Sequence, residues 1–350
     1  MKPKLPGVQY FGALCTITTI LLGFAYARSQ QPSTGDPSKQ QRPRRVEEAG
    51  QAEESGDVLR IDTDLVPVDV SVTDKLGRPV RTLRLEDFKL FEDGVERPIA
   101  FFNKEKRGGD NRPIAVVFAL DVSGSMSSQE IERLRSAMQV FVEHLGDRTS
   151  LFSIMAFGMS AKTIQGFTND RQKLERAFDR LAREPNGMST HTFDAVDDAV
   201  RLLVRHAPKT REHQLIRRAV VVVTDGFPVG DTVAPATVIE RANAADVTVF
   251  TVTLPSFSRL LASTDNSPLP TPLDVSGLVE KTGGTNVYAT EQNFDLLFKA
   301  IAEEVASTYV LAFYPIAENK RDGKLHTLRI EGPNGLTLRQ SRLAYKNDDK

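Results

Sequence analysis

Residues 114–126, "IAVVFALDVSGSM", run without a break through apolar side chains and then stop on Asp121, Ser123 and Ser125. An unbroken Val/Ile/Leu/Phe run of this length reads as a strand buried on both faces, the kind a parallel sheet needs. Its polar end admits three readings: turn residues, an acyl-transfer nucleophile, or oxygens arranged to hold a metal. A nucleophile elbow requires a glycine two residues before its serine, which "VSGSM" lacks. A phosphate-binding loop is equally excluded, because no "GK[ST]" follows the run.

The same kind of run returns in "LFSIMAF" (151–157), "AVVVVT" (219–224), "VTVFTV" (247–252) and "TNVYA" (285–289). Helical patterns separate them. In "SQEIERLRSAMQVFVEHL", Ile131, Leu134, Met138, Phe141, Val142 and Leu145 share one face, and Ser127 with Glu130 forms a capping box. "RQKLERAFDRLA", "TFDAVDDAVRLLVRHA", "PATVIERANAA" and "NFDLLFKAIAEEVAS" continue the alternation. The prediction is an α/β domain over 112–306 with a doubly wound, mostly parallel sheet covered on both faces.

The flanks read as β structure. Val66, Val68, Val70 and Val72 alternate with polar or smaller residues, which predicts a half-buried strand. "DFKLFEDGVERPIAFF" predicts two strands joined around Asp93-Gly94. After Ser307, "TYVLAFYP", "KLHTLRIEG" and "LTLRQSRLAY" supply further strands, with Asp322-Gly323 and Asn334-Gly335 as turn pairs. Segments 58–105 and 307–347 are each too small for a core, so they are expected to pair with one another. The α/β domain would then be inserted in, or flanked by, one small β domain.

Residues 1–27 carry Lys2 and Lys4, an uncharged apolar stretch and Ala25-Tyr26-Ala27, the pattern of a secretory signal peptide. If retained, the same stretch approaches the length of a membrane anchor. Residues 28–57 are rich in Gln, Pro, Ser, Gly and charge and read as a disordered linker. Cys15, the only cysteine, lies in the signal segment, so the exported part would contain neither disulfides nor thiolate sites. A formal net charge of −1 argues against a nucleic-acid binder that relies on overall positive charge.

Open α/β sheets bind ligands beyond the carboxyl ends of their strands. Three features are expected to meet there: Asp121, Ser123 and Ser125; Asp225 in "VVVVTDG"; and Thr190 with Asp194 in "NGMSTHTFDAV". Two serine hydroxyls, a threonine hydroxyl and one or two aspartates suit a hard divalent cation such as Mg²⁺, which takes oxygen ligands and keeps some waters. A cation held mostly by neutral oxygens stays electrophilic and favours an outside carboxylate as its last ligand.

On these residues the chain resembles the von Willebrand factor type A domain with its metal-ion-dependent adhesion site. Position by position, Asp121, Ser123 and Ser125 match the DxSxS element, Thr190 the second-loop threonine and Asp225 the third-loop aspartate. Segments Asp69 to Gly94 and Tyr309 to Ile330 resemble the pieces that bracket such a domain in exported bacterial proteins. The resemblance implies a module that uses Mg²⁺ (or Mn²⁺ or Ca²⁺) to capture an Asp or Glu carboxylate of a protein partner in the periplasm or outside the cell. Membrane attachment would come only from a retained N-terminal segment. Alternatives are a metal-dependent hydrolase of the cell envelope, for which a general base is missing apart from His191, and a structural protein with a vestigial site.

One departure is local. Met188 and Ser189 stand where the family often has two glycines, which leaves Ser189 and Thr192 open as substitutes for Thr190. The basic stretch 205–218 reads as a solvated helix end and loop, with a docking patch as its second reading. The Ser/Pro-rich stretch 256–274 is a candidate specificity loop.

Overall fold

The computed structural model describes residues 65–104, 112–123, 128–145, 149–181, 189–211, 214–254, 270–290, 293–306, 309–319 and 322–346. The signal and linker segments, Ser125, the Ser127 cap and most of the 256–274 stretch lie outside the described residues.

Eight residues of β5 (Ile114–Asp121) are all buried, because the strand lies second from neither edge but in the middle of a six-stranded sheet. Ile114, Val116, Phe118 and Leu120 face one core, and Ala115, Val117 and Ala119 the other. Its neighbours are β10 (Arg217–Thr224) and β6 (Leu151–Phe157), both parallel, followed outward by β11 (Val247–Thr253) and β12 (Asn286–Tyr288) on one side. On the other side β7 (Ala161–Thr168) closes the sheet as an antiparallel edge. Helices α1 (Ser128–His144), α2 (Arg171–Leu181) and α7 (Phe294–Ala306) pack on the first face. The second face is covered by α3 (Thr192–His206), α4 (Pro235–Ala244), α5 (Pro272–Val275) and α6 (Leu278–Lys281). This is a doubly wound α/β fold with a mostly parallel sheet.

Two smaller sheets hold the flanks. In one, β1 (Val66–Thr73) lies between β13 (Tyr309–Phe313) and β15 (Thr337–Gln340), and β4 (Phe101–Lys104) pairs with the far side of β13. In the other, β14 (Leu325–Glu331) lies between β16 (Ala344–Lys346) and β2 (Lys89–Glu92), with β3 (Val95–Arg97) outermost. Both sheets feed one core containing Val68, Val70, Phe88, Leu90, Phe102, Tyr309, Leu311, Leu328 and Tyr345. Each sheet draws strands from both ends of the described chain.

Two details depart from the sequence reading. The strand expected to run from Val95 to Phe102 is cut: β3 stays with β2, whereas β4 joins the other sheet. Pro98 explains the cut, since it has no N–H for a ladder and fixes its own φ. β1 was expected to be half-buried, yet Asp69 and Ser71 on its polar face are buried too.

That face meets the base of the α/β domain. Asp69 pairs with Arg112, just ahead of β5, and with Arg217 at the start of β10, whose Nε lies 3.4 Å from Asp69 Oδ2. Arg217 also donates to the carbonyl of Val305 in the last turn of α7. Nearby, Ser341 Oγ donates to Asp246 at 3.1 Å, and Asn243 Oδ1 accepts from the Leu343 N–H at 2.9 Å. Gly283 closes the contact: a Cβ there would lie 1.8 Å from the Gln340 carbonyl oxygen, so only glycine allows this approach. The β domain therefore abuts the end of the parallel sheet opposite the strands' carboxyl ends.

Candidate metal centre

At the carboxyl end of β5 the chain turns on Asp121, which is 1% exposed. Its Oδ1 accepts the Ser123 N–H at 2.9 Å, and its Oδ2 accepts the hydroxyl of Thr224, the last residue of β10, also at 2.9 Å. Thr224 Oγ1 in turn accepts the Gly226 N–H at 3.2 Å, and Asp225 Oδ1 accepts the Phe227 N–H at 3.1 Å. These bonds lock the first and third loops together. Gly226 has φ 84° and lies against Thr271; a Cβ would sit 2.7 Å from Thr271 Oγ1, so the turn after Asp225 requires glycine.

The second loop is fastened to the third by its backbone. The Val229 N–H donates to the Thr190 carbonyl at 2.8 Å, and Ser189 Oγ donates to the Val229 carbonyl at 2.9 Å. The His191 N–H donates to the Gly158 carbonyl at 2.8 Å, which ties the loop to the end of β6 as well. Asp194 then accepts the Thr232 and Val233 N–H groups at 3.0 and 2.7 Å, while Asp231 Oδ1 accepts the Asp194 N–H at 2.9 Å. Asp194 thus works as a clamp between loops. Burial pushes its carboxyl up, but the Val233 and Thr232 N–H groups, the Thr232 hydroxyl and His191 outweigh that and hold it below the usual carboxylate range.

Asp121, Ser123, Thr190 and Asp225 therefore fall on three mutually bonded loops at one end of the sheet, and Ser125 lies outside the described residues. Asp121, Ser123 and Thr190 are buried and Asp225 is half-buried. Thr192 is fully buried as well, and its Oγ1 has no hydrogen-bond partner among the described residues. Two residues that the sequence reading passed over carry much of the geometry. Thr224 orients Asp121, and Asp231 holds the start of α3.

Electrostatics single out the Asp121–Asp225 pair. Burial raises the Asp121 carboxyl above its ordinary value; the Ser123 and Thr224 hydrogen bonds oppose this, and the charge of Asp225 adds to it. Among the described residues neither carboxylate forms a salt bridge. No group of three or more His, Cys, Asp or Glu positioned to hold a metal occurs among the described residues. The donor set is thus two carboxylates without a described counter-cation, surrounded by hydroxyls. That set fits a hard dication and fits neither a thiolate nor an imidazole site.

Residues 115–270 match the family model described as the von Willebrand factor type A domain. The inter-alpha-trypsin inhibitor heavy chain H4 of Sus scrofa is 32% identical over 124 residues, covering 34% of this chain and 13% of that protein. Integrin alpha-M of Mus musculus is 26% identical over 159 residues, covering 45% of this chain and 14% of that protein. This chain therefore spans only a small part of the length of either relative. Among solved structures, a von Willebrand factor type A protein from Catenulispora acidiphila is 13% identical, with 75% of this chain and 74% of that chain covered at a TM-score of 0.45.

Proposed function

We propose that this protein, whose residues 115–270 match the von Willebrand factor type A domain, is an exported, metal-dependent binding module that captures an acidic residue of a protein partner. Domains of this type are characteristically interaction modules. The observation that carries the reading is the buried Asp121 beside Asp225, with no described cation to balance the pair and hydroxyl groups gathered around it.

Asp121, Ser123, Ser125, Thr190 and Asp225 would hold the ion, Mg²⁺ or Mn²⁺ by the hardness of the donors and Ca²⁺ as the larger alternative. Bound there, the metal supplies an electrophilic position for a carboxylate oxygen. The chain's own residues prepare that position. Ser123 and Thr224 fix the Asp121 carboxylate, so its lone pairs are directed before any ion arrives. The Thr190–Val229 bond sets the spacing between the second and third loops. Because the two aspartates no more than balance the dication and the rest of its shell would be neutral hydroxyls and water, the ion would stay electrophilic toward a further carboxylate. We read the site as binding rather than hydrolysing, because its described contacts orient Asp121 and fasten the loops to one another. The signal-like N-terminus would direct export, with the β domain as the mount at the other end of the sheet.

Calorimetric titration of the full chain with Mg²⁺ and Mn²⁺ tests the premise. Binding of the ion by the wild type, weakened at least about tenfold in Asp121→Ala, is the expected result. No heat up to millimolar metal would remove the mechanism. Turnover on an ester and phosphoester panel that vanished in Asp121→Ala would replace binding with catalysis.

A further inference from the structure

α3 runs from the metal face toward the opposite end of the sheet, and its second half borders a cleft of about 190 Å³ beside the edge strand β7. The lining is of two kinds. Met155, Ala161 and Leu202 make an apolar floor, and Asp198, Arg201, Arg205 and His206 stand on the α3 side. The cleft has room for about six waters at liquid density, the size of a small organic anion rather than of a protein segment.

Most of the charge here is already balanced. Arg201 Nη2 lies 2.6 Å from Asp197, and Arg241 Nη1 donates to the same buried carboxylate at 2.7 Å. Burial raises the Asp198 carboxyl and the charges of Asp197 and Asp194 add to this, while Arg201 and Arg205 oppose it. With Asp197 and Asp198 set against Arg201 and Arg241, the guanidinium of Arg205 remains as the net charge. Neither Arg205 nor His206 makes a hydrogen bond or ion pair among the described residues, and both side chains are exposed at the cleft. A cationic last turn suits the dipole of α3, but the dipole needs neither an apolar floor nor an opening beside it.

We propose that this cleft is a binding site separate from the metal centre, and that it takes a carboxylate carried on a short apolar stem, with Arg205 and His206 receiving the anion and Met155, Ala161 and Leu202 the stem. A guanidinium presents a planar fork that matches a carboxylate and rejects an uncharged amide in the same place. Arg205 stands about 16 Å along α3 from Asp194, so the site is independent of the ion. Two sources carry this chemistry, a peptide ending in an apolar residue and a free short-chain acid.

Saturation-transfer NMR on the full chain tests the proposal with N-acetyl-leucine, N-acetyl-leucinamide and 4-methylpentanoate. The two acids are expected to bind and the amide to bind at least about tenfold more weakly. Arg205→Gln, an exposed substitution that leaves the fold intact, is expected to lower affinity for the acids about tenfold, and His206→Gln to lower it less. Tighter binding of N-acetyl-leucine assigns the peptide terminus, and tighter binding of 4-methylpentanoate assigns the free acid. Equal binding of acid and amide, no effect of Arg205→Gln, absence of binding at millimolar ligand, or abolition by a chelator would each overturn it. The last outcome would place the anion at the metal instead. Since the expected signal persists in Asp121→Ala, failure here and failure of the metal reading are separable.

Discussion

Thr190 and Thr192 flank His191 and compete, on sequence alone, for the role of second-loop ligand. Their surroundings differ. Thr190 offers its carbonyl to Val229 and so belongs to the contact between the second and third loops. Thr192 begins α3, is completely buried, and holds a hydroxyl without a described partner. Removing an unsatisfied buried hydroxyl while keeping its shape is close to neutral for stability. Thr192→Val is therefore expected to change unfolding free energy by less than about 1 kcal/mol and to leave Mg²⁺ affinity as it is. Thr190→Val is expected to weaken Mg²⁺ binding roughly tenfold. If calorimetry showed the reverse order, Thr192 would be the ligand and the loop would be read two residues out of place.

Residue identity also marks how far the site was legible. Asp121, Ser123 and Asp225 stand out in the sequence because they are polar interruptions at the ends of apolar runs, whereas Thr190 sits in a polar loop and is picked out only by the family resemblance. Thr224 does not, because it extends the run "VVVVT" and acts through a carboxylate 103 positions away. Asp231 sits in an unpatterned loop and reaches Asp194 across 37 positions. Hydrogen bonds of that span leave no local periodicity to read.

At the scale of elements, the strands buried on both faces announced themselves, and the doubly wound sheet followed from them. β7 did not: "AKTIQGFT" has a single buried side chain, Ile164, because an edge strand is covered less than a central one. α5 and α6, with four residues each, are too short to show a helical period. β1 was legible as a strand but not as the joint it forms, since Asp69 looks solvent-facing until Arg112 and Arg217 are brought to it. That joint predicts its own energetics. Asp69→Ala would leave two guanidiniums buried without their shared carboxylate, a change that costs about 3–5 kcal/mol. Urea denaturation should show that loss. Replacing Asp69 and Arg112 together by apolar residues should recover part of it, because the uncompensated charge goes with its partner. A loss under about 1 kcal/mol in Asp69→Ala would mean that water reaches the joint and the two domains are not held by it.

Across the whole molecule, a second charged cluster joins segments from both ends of the described chain. His326 in β14 lies with Nδ1 2.7 Å from Asp93, in the β2–β3 turn, and with Nε2 3.0 Å from Asp322; its ring lies against Tyr345 of β16. Lys324 stands 3.9 Å from Asp322, and Tyr345 bonds Glu92, which also accepts from Arg97 at 2.8 Å. Burial works against the His326 charge, but the bonds and charges of Asp93 and Asp322 outweigh it and raise the imidazole above its ordinary value. Asp93 is pushed up by burial and pulled further down by His326 and Thr327; Asp322 is lowered first by the Lys324 N–H and then by His326. A raised histidine stabilises the fold fully below its unfolded value of about 6.5 and loses that contribution as pH climbs through the folded value. Lowered aspartates stabilise it above their unfolded value of about 3.9 and lose that contribution as pH falls through the folded value. The cluster should therefore contribute most between about pH 4 and 6.5. The measurement is the difference in unfolding free energy between wild type and His326→Gln at pH 5.5 and at pH 8.5. The difference is expected to shrink at the higher pH, because the wild type has by then lost the charge that the variant never had. A difference that stayed constant or grew with pH would show that His326 is held neutral between the two carboxylates, and that the β2–β3 turn is joined to β14 and β16 there by packing against Tyr345 rather than by charge.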